Sequence, residues 1–267
     1  MDALIRRFQA KILAFYAEKA RDLPWRHTTE AYAILVSEVM LQQTQVGRVV
    51  ERYERWLARW PSIRALAAAS LHEVLQEWSG LGYNRRALLL HKAAGIIVAE
   101  HQGDVLLALR STKIPGIGPY TAAAVRIFAA NEDIVAVDTN IRRIFIHEFG
   151  RDAAGPARLQ ELAMQCLPKG RSREWHNALM DYGATFLTAR STGIKPLSRQ
   201  GRFEGSVRQL RGKVMKALIA AERPVGMKTL STMEPDTKRL RTALHGLVRD
   251  GLARRAHGGY SLPGRDT

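Results

Sequence analysis

Sulfur is almost missing from this chain. Cys166 is the only cysteine among 267 residues, so neither a disulfide framework nor a cysteine-only metal cage can be built. Long apolar runs are missing too. None approaches the roughly 18 residues that a bilayer span requires. The opening stretch MDALIRRFQAKILAFYAEKARDLPW is broken by charge where a signal peptide would be continuous. Acidic residues are the third scarcity: 25 Asp and Glu stand against 41 Lys and Arg, a net charge of +16 and a pI near 10.5. A protein this basic is suited to a polyanion, and nucleic acid is the commonest one. Hydrophobic residues make up 46%, enough for a sizeable core in one large domain or two smaller ones.

The pattern that remains is helical. Apolar spacing of helical type runs over residues 4–20, then from Ala31 to about Leu57, and over 65–77, 85–101, 104–111, 119–130, 139–149, 156–166 and 173–188. Asp22-Leu23-Pro24-Trp25-Arg26 breaks the first of these. Only the short IVAV before Asp138 reads as extended. The first two hundred residues are therefore all-α, with about ten helices. Residues 190–205 turn rich in Gly, Ser and basic residues and read as irregular. Beyond them come helices at 206–221, 226–232 and 236–250, then a hairpin around Gly258-Gly259. That order matches a winged helix, and 13 basic against 5 acidic residues over 206–267 favour DNA contact over a dimerisation or lid module.

The stretch KIPGIGPYTAAAVRIFAANEDIVAVDTNIRR, from Lys113 to Arg143, is the densest in chemistry. Pro115-Gly116-Ile117-Gly118 predicts a tight turn between two helices, because glycine tolerates φ > 0 and close backbone approach. The unpaired N–H groups at the start of the next helix would face an anion. A plain helix–helix turn explains the same residues. Glu38 lies among Ile34, Leu35, Val39 and Leu41, where a carboxyl acquires a raised pKa and can hold a proton near neutrality. A helix-surface carboxylate is the plainer reading. Asp138, bracketed by Ile134, Val135, Val137 and Ile141, is a helix N-cap, a catalytic charge, or both.

Six stretches fall in one order: LPWR (23–26), SEVMLQQTQV (37–46), GLGYNRRALLLHKAA (80–94), IPGIGPYTAAAV (114–125), VDTNIRRI (137–144) and WHNALMDYGA (175–184). Together they resemble the helix-hairpin-helix DNA glycosylases, and within them the MutY-type adenine DNA glycosylases, over roughly residues 4–204. The resemblance implies a two-lobed all-α fold with a DNA cleft between the lobes. One lobe would combine 1–26 with 131–204; the other would be 27–130 with the hairpin at 108–126; a small winged-helix-like domain would follow at 205–267. It implies Glu38 as general acid, Asp138 as stabiliser of the sugar cation, and Trp25, Arg26, Val46 and Asn177 around the base. Gln42 and Tyr83 would insert into the base stack. Gly116, Gly118, Asn140, Arg142, Lys195 and Arg199 would hold the DNA backbone. Tyr120 stands where endonuclease III-like relatives carry a Schiff-base lysine, which implies a water nucleophile and a monofunctional enzyme. Val46 and Asn177 are closer to the adenine enzymes than to the thymine ones.

Two departures accompany the resemblance. The family's iron–sulfur cysteine positions are occupied by Leu187, Ile194, Leu197 and Phe203, none of which ligates iron; their packing together is expected instead. A winged-helix-like tail also stands where a Nudix-like domain would read 8-oxoguanine. The expected activity is removal of adenine opposite 8-oxoguanine or guanine from double-stranded DNA. Thymine or uracil excision from G mismatches is the first alternative, and a non-catalytic DNA-binding regulator the second. No cofactor is expected, apart from a monovalent cation on the hairpin carbonyls. The setting implied is cytoplasmic, at the nucleoid in a prokaryote, with the enzyme acting as a monomer and no membrane contact.

Overall fold

The computed structural model describes residues 2–187, 189–194 and 201–264. In chain order the helices are α1 (Asp2–Lys19), α2 (Ala31–Leu41), α3 (Val46–Arg59), α4 (Ile63–Ala68), α5 (Leu71–Trp78), α6 (Arg85–His101), α7 (Val105–Ser111) and α8 (Pro119–Ala130). There follow α9 (Thr139–Phe149), α10 (Pro156–Gln165), α11 (Ser172–Phe186), α12 (Ala189–Thr192), α13 (Val207–Ala220), α14 (Met227–Met233) and α15 (Thr237–Arg249). Two short strands, β1 (Arg254–Ala256) and β2 (Gly259–Ser261), close the order as an antiparallel hairpin. No helix among the described residues is long and apolar enough to cross a membrane.

The all-α class and the winged-helix-like order at the C-terminus are both present. Two of the expected helices are each split. The run from Ala31 to Leu57 breaks between α2 and α3, with Gln43 at φ 55°. The 65–77 helix divides at Ser70, which forms a reciprocal capping box with Glu73 at the start of α5. The IVAV stretch is extended but enters no strand.

Two compact units result. One contains 1–38 and 105–199, the other 39–104 and 200–267. These boundaries differ from those expected: α7, the hairpin and α8 belong with the N-terminal helix, and the C-terminal residues join the 39–104 block. The first unit is built around α1, α9 and α11. Phe8 meets Phe145, Phe149 and Trp175 edge-on at 5.2–5.6 Å between ring centres, with Ile12, Ile141, Ile144 and Leu179 filling in. Gly183 lets α11 close on α9, since a Cβ there would sit 3.2 Å from Ile144.

The second unit is centred on Trp56, which packs edge-on against Trp60 and Trp78. Its C-terminal part adds a core of Leu210, Val214, Leu218, Leu240, Leu244 and Leu247. Val225 bridges Tyr260 with hydrogen bonds of 2.8 and 3.0 Å, which ties the hairpin to the stretch before α14 by an isolated bridge. Gly259 is required there. A Cβ would run into the Val225 carbonyl.

Candidate active site

Glu38 is the one charged residue of α2, on a helix whose other residues are mostly buried. Burial raises its pKa from 4.5 to about 7, and the nearby Asp138 charge adds to the rise. Tyr120, in the first turn of α8, feels both acids. Burial first, then Glu38 and Asp138, push its phenol well above 10, so it stays a neutral donor. Glu38, Tyr120 and Asp138 therefore form one electrostatic group inside the first unit.

Asp138 is also the N-cap of α9. Its Oδ1 accepts from Asn140 N at 2.9 Å and Ile141 N at 2.7 Å, and its Oδ2 accepts from Asn140 Nδ2 at 3.1 Å. Burial raises its pKa, and these bonds to the carboxylate oppose the rise. Asn140 is itself fixed, because its Oδ1 accepts from Arg143 Nη1 at 3.0 Å. Arg143 is buried and also donates to the Leu187 carbonyl at 3.1 Å. Upstream, His176 on α11 holds the approach to Asp138. Its Nδ1 donates to the Ser172 carbonyl at 2.8 Å, leaving Nε2 to accept Ala136 N at 3.2 Å. Burial lowers its pKa, with the Ser172 bond opposing. The imidazole is neutral.

The hairpin runs from Thr112 to Gly118 and Pro119 starts α8. Gly116 needs its glycine at φ 83°. Gly118 does not, since its φ of −77° and ψ of 169° suit any residue. A Cβ there would meet no protein atom within 4 Å, so the bare backbone at Gly118 faces outward. Arg142 is half-exposed with no ion-pair partner among the described residues. Lys195 and Arg199 lie outside the described residues.

The residues expected around the base divide. Both arms of Arg26 are spent on Asp181, with Nη1 to Oδ2 and Nη2 to Oδ1 both at 2.7 Å. Arg21 adds N at 2.9 Å and Nε at 2.6 Å to the same carboxylate. Arg26 therefore ties the LPWR turn to α11. It lines, with Asn177, Tyr16, Arg171 and Arg173, a cavity of about 310 Å³ whose walls include neither Glu38 nor Asp138. Trp25 is half-buried on the same turn, and Val46 opens α3.

The two wedge candidates sit on turns of the second unit. Gln42 lies in the break after α2, and Tyr83 is 38% exposed at φ 49°. One arginine holds both turns. Arg86 Nη1 donates to the carbonyls of Val39, Met40 and Gln42 at 2.6–2.9 Å. Its Nη2 donates to Thr44 Oγ1 at 3.0 Å and to the Gly82 carbonyl at 3.1 Å. The guanidinium lies over the Trp78 and Tyr83 rings. Burial pulls its pKa down to about 10, still cationic at neutrality.

A family model described as HhH-GPD superfamily base excision DNA repair protein matches residues 36–169. The chain belongs to this superfamily. Among curated relatives, the adenine DNA glycosylase of Mycolicibacterium smegmatis (strain ATCC 700084 / mc(2)155) is 39% identical over 95% of each chain. That of Mycobacterium tuberculosis is 38% identical over 95% of this chain and 92% of its own. The Homo sapiens adenine DNA glycosylase is 34% identical over 88% of this chain, which spans only 45% of the human protein. A thermostable thymine-DNA glycosylase structure superposes with a TM-score of 0.66 at 28% identity, over 72% of this chain and 91% of that one. Endonuclease III trapped on DNA gives 0.62 at 20% identity, over 74% and 91%, a likeness of fold.

The residues at the iron–sulfur positions that the resemblance implies do not fit a cluster. Leu187, Ile194, Leu197 and Phe203 offer no donor atom, and Cys166 is buried in the aromatic core with its thiol pushed up to about 12. Among the described residues no group of three or more His, Cys, Asp or Glu is placed to hold a metal. The expected packing of the four apolar residues fails at Phe203, which is 54% exposed beneath the Arg208 guanidinium. Of the three that are described, only Leu187 is buried, in the core of the first unit; Ile194 is half-exposed, and Leu197 lies outside the described residues. Arg86, Arg143, His176 and Asp181 were not singled out from the sequence, although each lies inside one of its six stretches. Their partners are 40 to 160 positions away, apart from the local ones, and no local signal announces them.

Proposed function

We propose that this HhH-GPD protein is a monofunctional DNA N-glycosylase that removes adenine mispaired with 8-oxoguanine or guanine. The observation that carries the reading is the pair Glu38 and Asp138, two carboxyls in one site with different tasks written into their surroundings. Glu38 holds a proton near neutral pH, whereas Asp138 accepts three hydrogen bonds that favour its anion. Glu38 donates its proton to a purine ring nitrogen as the N-glycosidic bond breaks and both bonding electrons leave with the base. The Asp138 carboxylate stabilises the oxocarbenium-like sugar. Water adds to the sugar carbon, and its proton returns to the Glu38 carboxylate. Tyr120 offers no amine, so no Schiff base forms and the strand stays intact.

Adenine as the base follows from the relatives of 39% and 38% identity, which bear that activity in their names. Before chemistry the nucleotide must leave the stack, and Gln42 and Tyr83 fill the space behind it. Val46 and Asn177 read the base. Backbone groups at Gly116 and Gly118, with Asn140, Arg142, Lys195 and Arg199, hold phosphates. Carbonyls of the 113–118 turn are the donors a monovalent cation would take, and it would draw a phosphate to the turn. The enzyme acts as a cytoplasmic monomer.

Duplexes carrying A·8-oxoG, A·G, T·G and U·G, followed by alkali, test the reading. Base release from the first two without alkali-independent nicking is the expected result. The thymine-DNA glycosylase likeness favours a second reading, and release from T·G or U·G alone would establish it.

A further inference from the structure

The C-terminal residues of the second unit reach the Tyr83 turn through one side chain. Arg208 is the second residue of α13. Its Nη1 donates to the Tyr83 hydroxyl at 3.0 Å, and its guanidinium lies 5.8 Å from the Tyr83 ring centre. Its Nη2 donates to the Gly201 carbonyl at 3.3 Å, and Phe203 supports the group from another side at 5.3 Å. Tyr83 is thus flanked by two guanidiniums, those of Arg86 and Arg208. It is also held at φ 49°, a conformation that a bulky residue keeps only when its surroundings impose it.

The base of α13 is not free to drift away from the turn. α13 packs on α5, the helix before the Tyr83 turn. A Cβ on Gly251, just after α15, would touch Leu88 of α6, the helix that follows the turn. The C-terminal helices therefore brace both helices that carry the turn. An exposed aromatic ring that is oriented before it meets a ligand loses less freedom on insertion.

We propose that Arg208 is a positioning residue for strand insertion: it presets the Tyr83 ring, which makes the C-terminal domain a working part of base extrusion and more than a DNA tether. The proposal rests on the reading of Tyr83 as a wedge. Phosphate contact by Arg208 is the competing use, and it predicts a different response to undamaged DNA.

The test uses the full chain in an Asp138→Asn background, which slows the chemistry enough to isolate extrusion. 2-Aminopurine replaces the target adenine opposite 8-oxoguanine, and its fluorescence rise reports extrusion. Arg208→Ala is expected to slow or lower extrusion about tenfold, the scale of one charged hydrogen bond, with affinity for undamaged duplex unchanged. Tyr83→Phe, which keeps the ring and deletes the acceptor, should share the defect. Adding Arg208→Ala to Tyr83→Phe should cost little more, and Arg208→Lys should recover part of the loss. If Arg208→Ala does not fold, the Tyr83→Phe and Arg208→Lys measurements decide the matter. Equal weakening on lesion and undamaged DNA would make Arg208 a phosphate contact and overturn the proposal. Faster extrusion in Arg208→Ala would make it a restraining latch and do the same. Normal extrusion in Arg208→Ala with a defective Tyr83→Ala would sink this inference alone. Normal extrusion in Tyr83→Ala would remove the wedge reading, and this inference with it.

Discussion

His176 Nε2 accepts the backbone N–H of Ala136 at 3.2 Å, two residues before Asp138. The bond requires a neutral ring, and burial enforces one. Replacing His176 with Phe leaves a buried N–H unsatisfied and should cost about 1–3 kcal/mol. The pH response follows from the sign of the shift. The folded pKa lies below the unfolded 6.5, so the contribution is complete above 6.5 and drains away as pH falls toward the folded value. Urea midpoints at pH 7.5 and pH 5 should diverge in the native chain and converge in His176→Gln.

Glu38 should set the alkaline limb of activity. With its pKa near 7, single-turnover kcat/KM should fall about tenfold per unit above that pH. Glu38→Gln should remove base release altogether. The same shift has a stability consequence. A folded pKa raised above 4.5 contributes fully below 4.5 and is lost as pH rises through about 7. Glu38→Gln should therefore melt higher than the native chain at pH 8, by up to about 3 kcal/mol, and match it near pH 4.5. A flat pH profile would take the acid role away from Glu38.

Asp138→Asn keeps a capping oxygen for α9 but removes the charge. Base excision should drop about 10²- to 10³-fold while lesion binding persists, read by gel shift beside single-turnover kinetics. Loss of binding in parallel would mean that the residue serves only the helix cap.

Arg86 should matter more to stability than its half-exposed position suggests. Arg86→Ala strips donors from the carbonyls of Val39, Met40, Gln42 and Gly82 and should destabilise by about 3 kcal/mol or more. Arg86→Lys should recover a minority of that, since an ammonium cannot span the same fork. Chemical denaturation of the three chains measures it.

Asp181→Asn breaks the buried bridge between α11 and the 21–26 turn. Burial acts to raise the Asp181 pKa, but Arg26 and Arg21 together hold it below the usual carboxylate range. Its stabilisation is therefore present above the unfolded value of 3.8 and lost as pH falls through the folded one. The variant should lose about 3–5 kcal/mol at pH 7 and less in acid, by thermal melts across pH.

The sequence disclosed what is local. Glu38 and Asp138 were visible as lone acids in apolar stretches, and the α8 start was visible from Gly118-Pro119. The Ser70–Glu73 capping box was equally visible in principle, and it splits a segment that apolar spacing alone joins. The break between α2 and α3 was not visible, because Gln42-Gln43-Thr44-Gln45 contains neither Gly nor Pro. It is imposed by Arg86, more than forty positions downstream. Arg26 hid its partner for a related reason. Only the folded chain reveals that Asp181, 155 residues away, accepts from both its terminal nitrogens.

Asp138, Asn140, Arg143 and the Leu187 carbonyl form one relay of hydrogen bonds. It ends at Leu187, the first of the four positions where the resemblance implies cluster cysteines. The parts of this anchor are a carboxylate, an amide, a guanidinium and a peptide oxygen. Peroxide does not oxidise them, and a shortage of iron does not withhold them. The orientation of Asp138 is thereby fixed by groups that neither oxidation nor loss of a metal would remove.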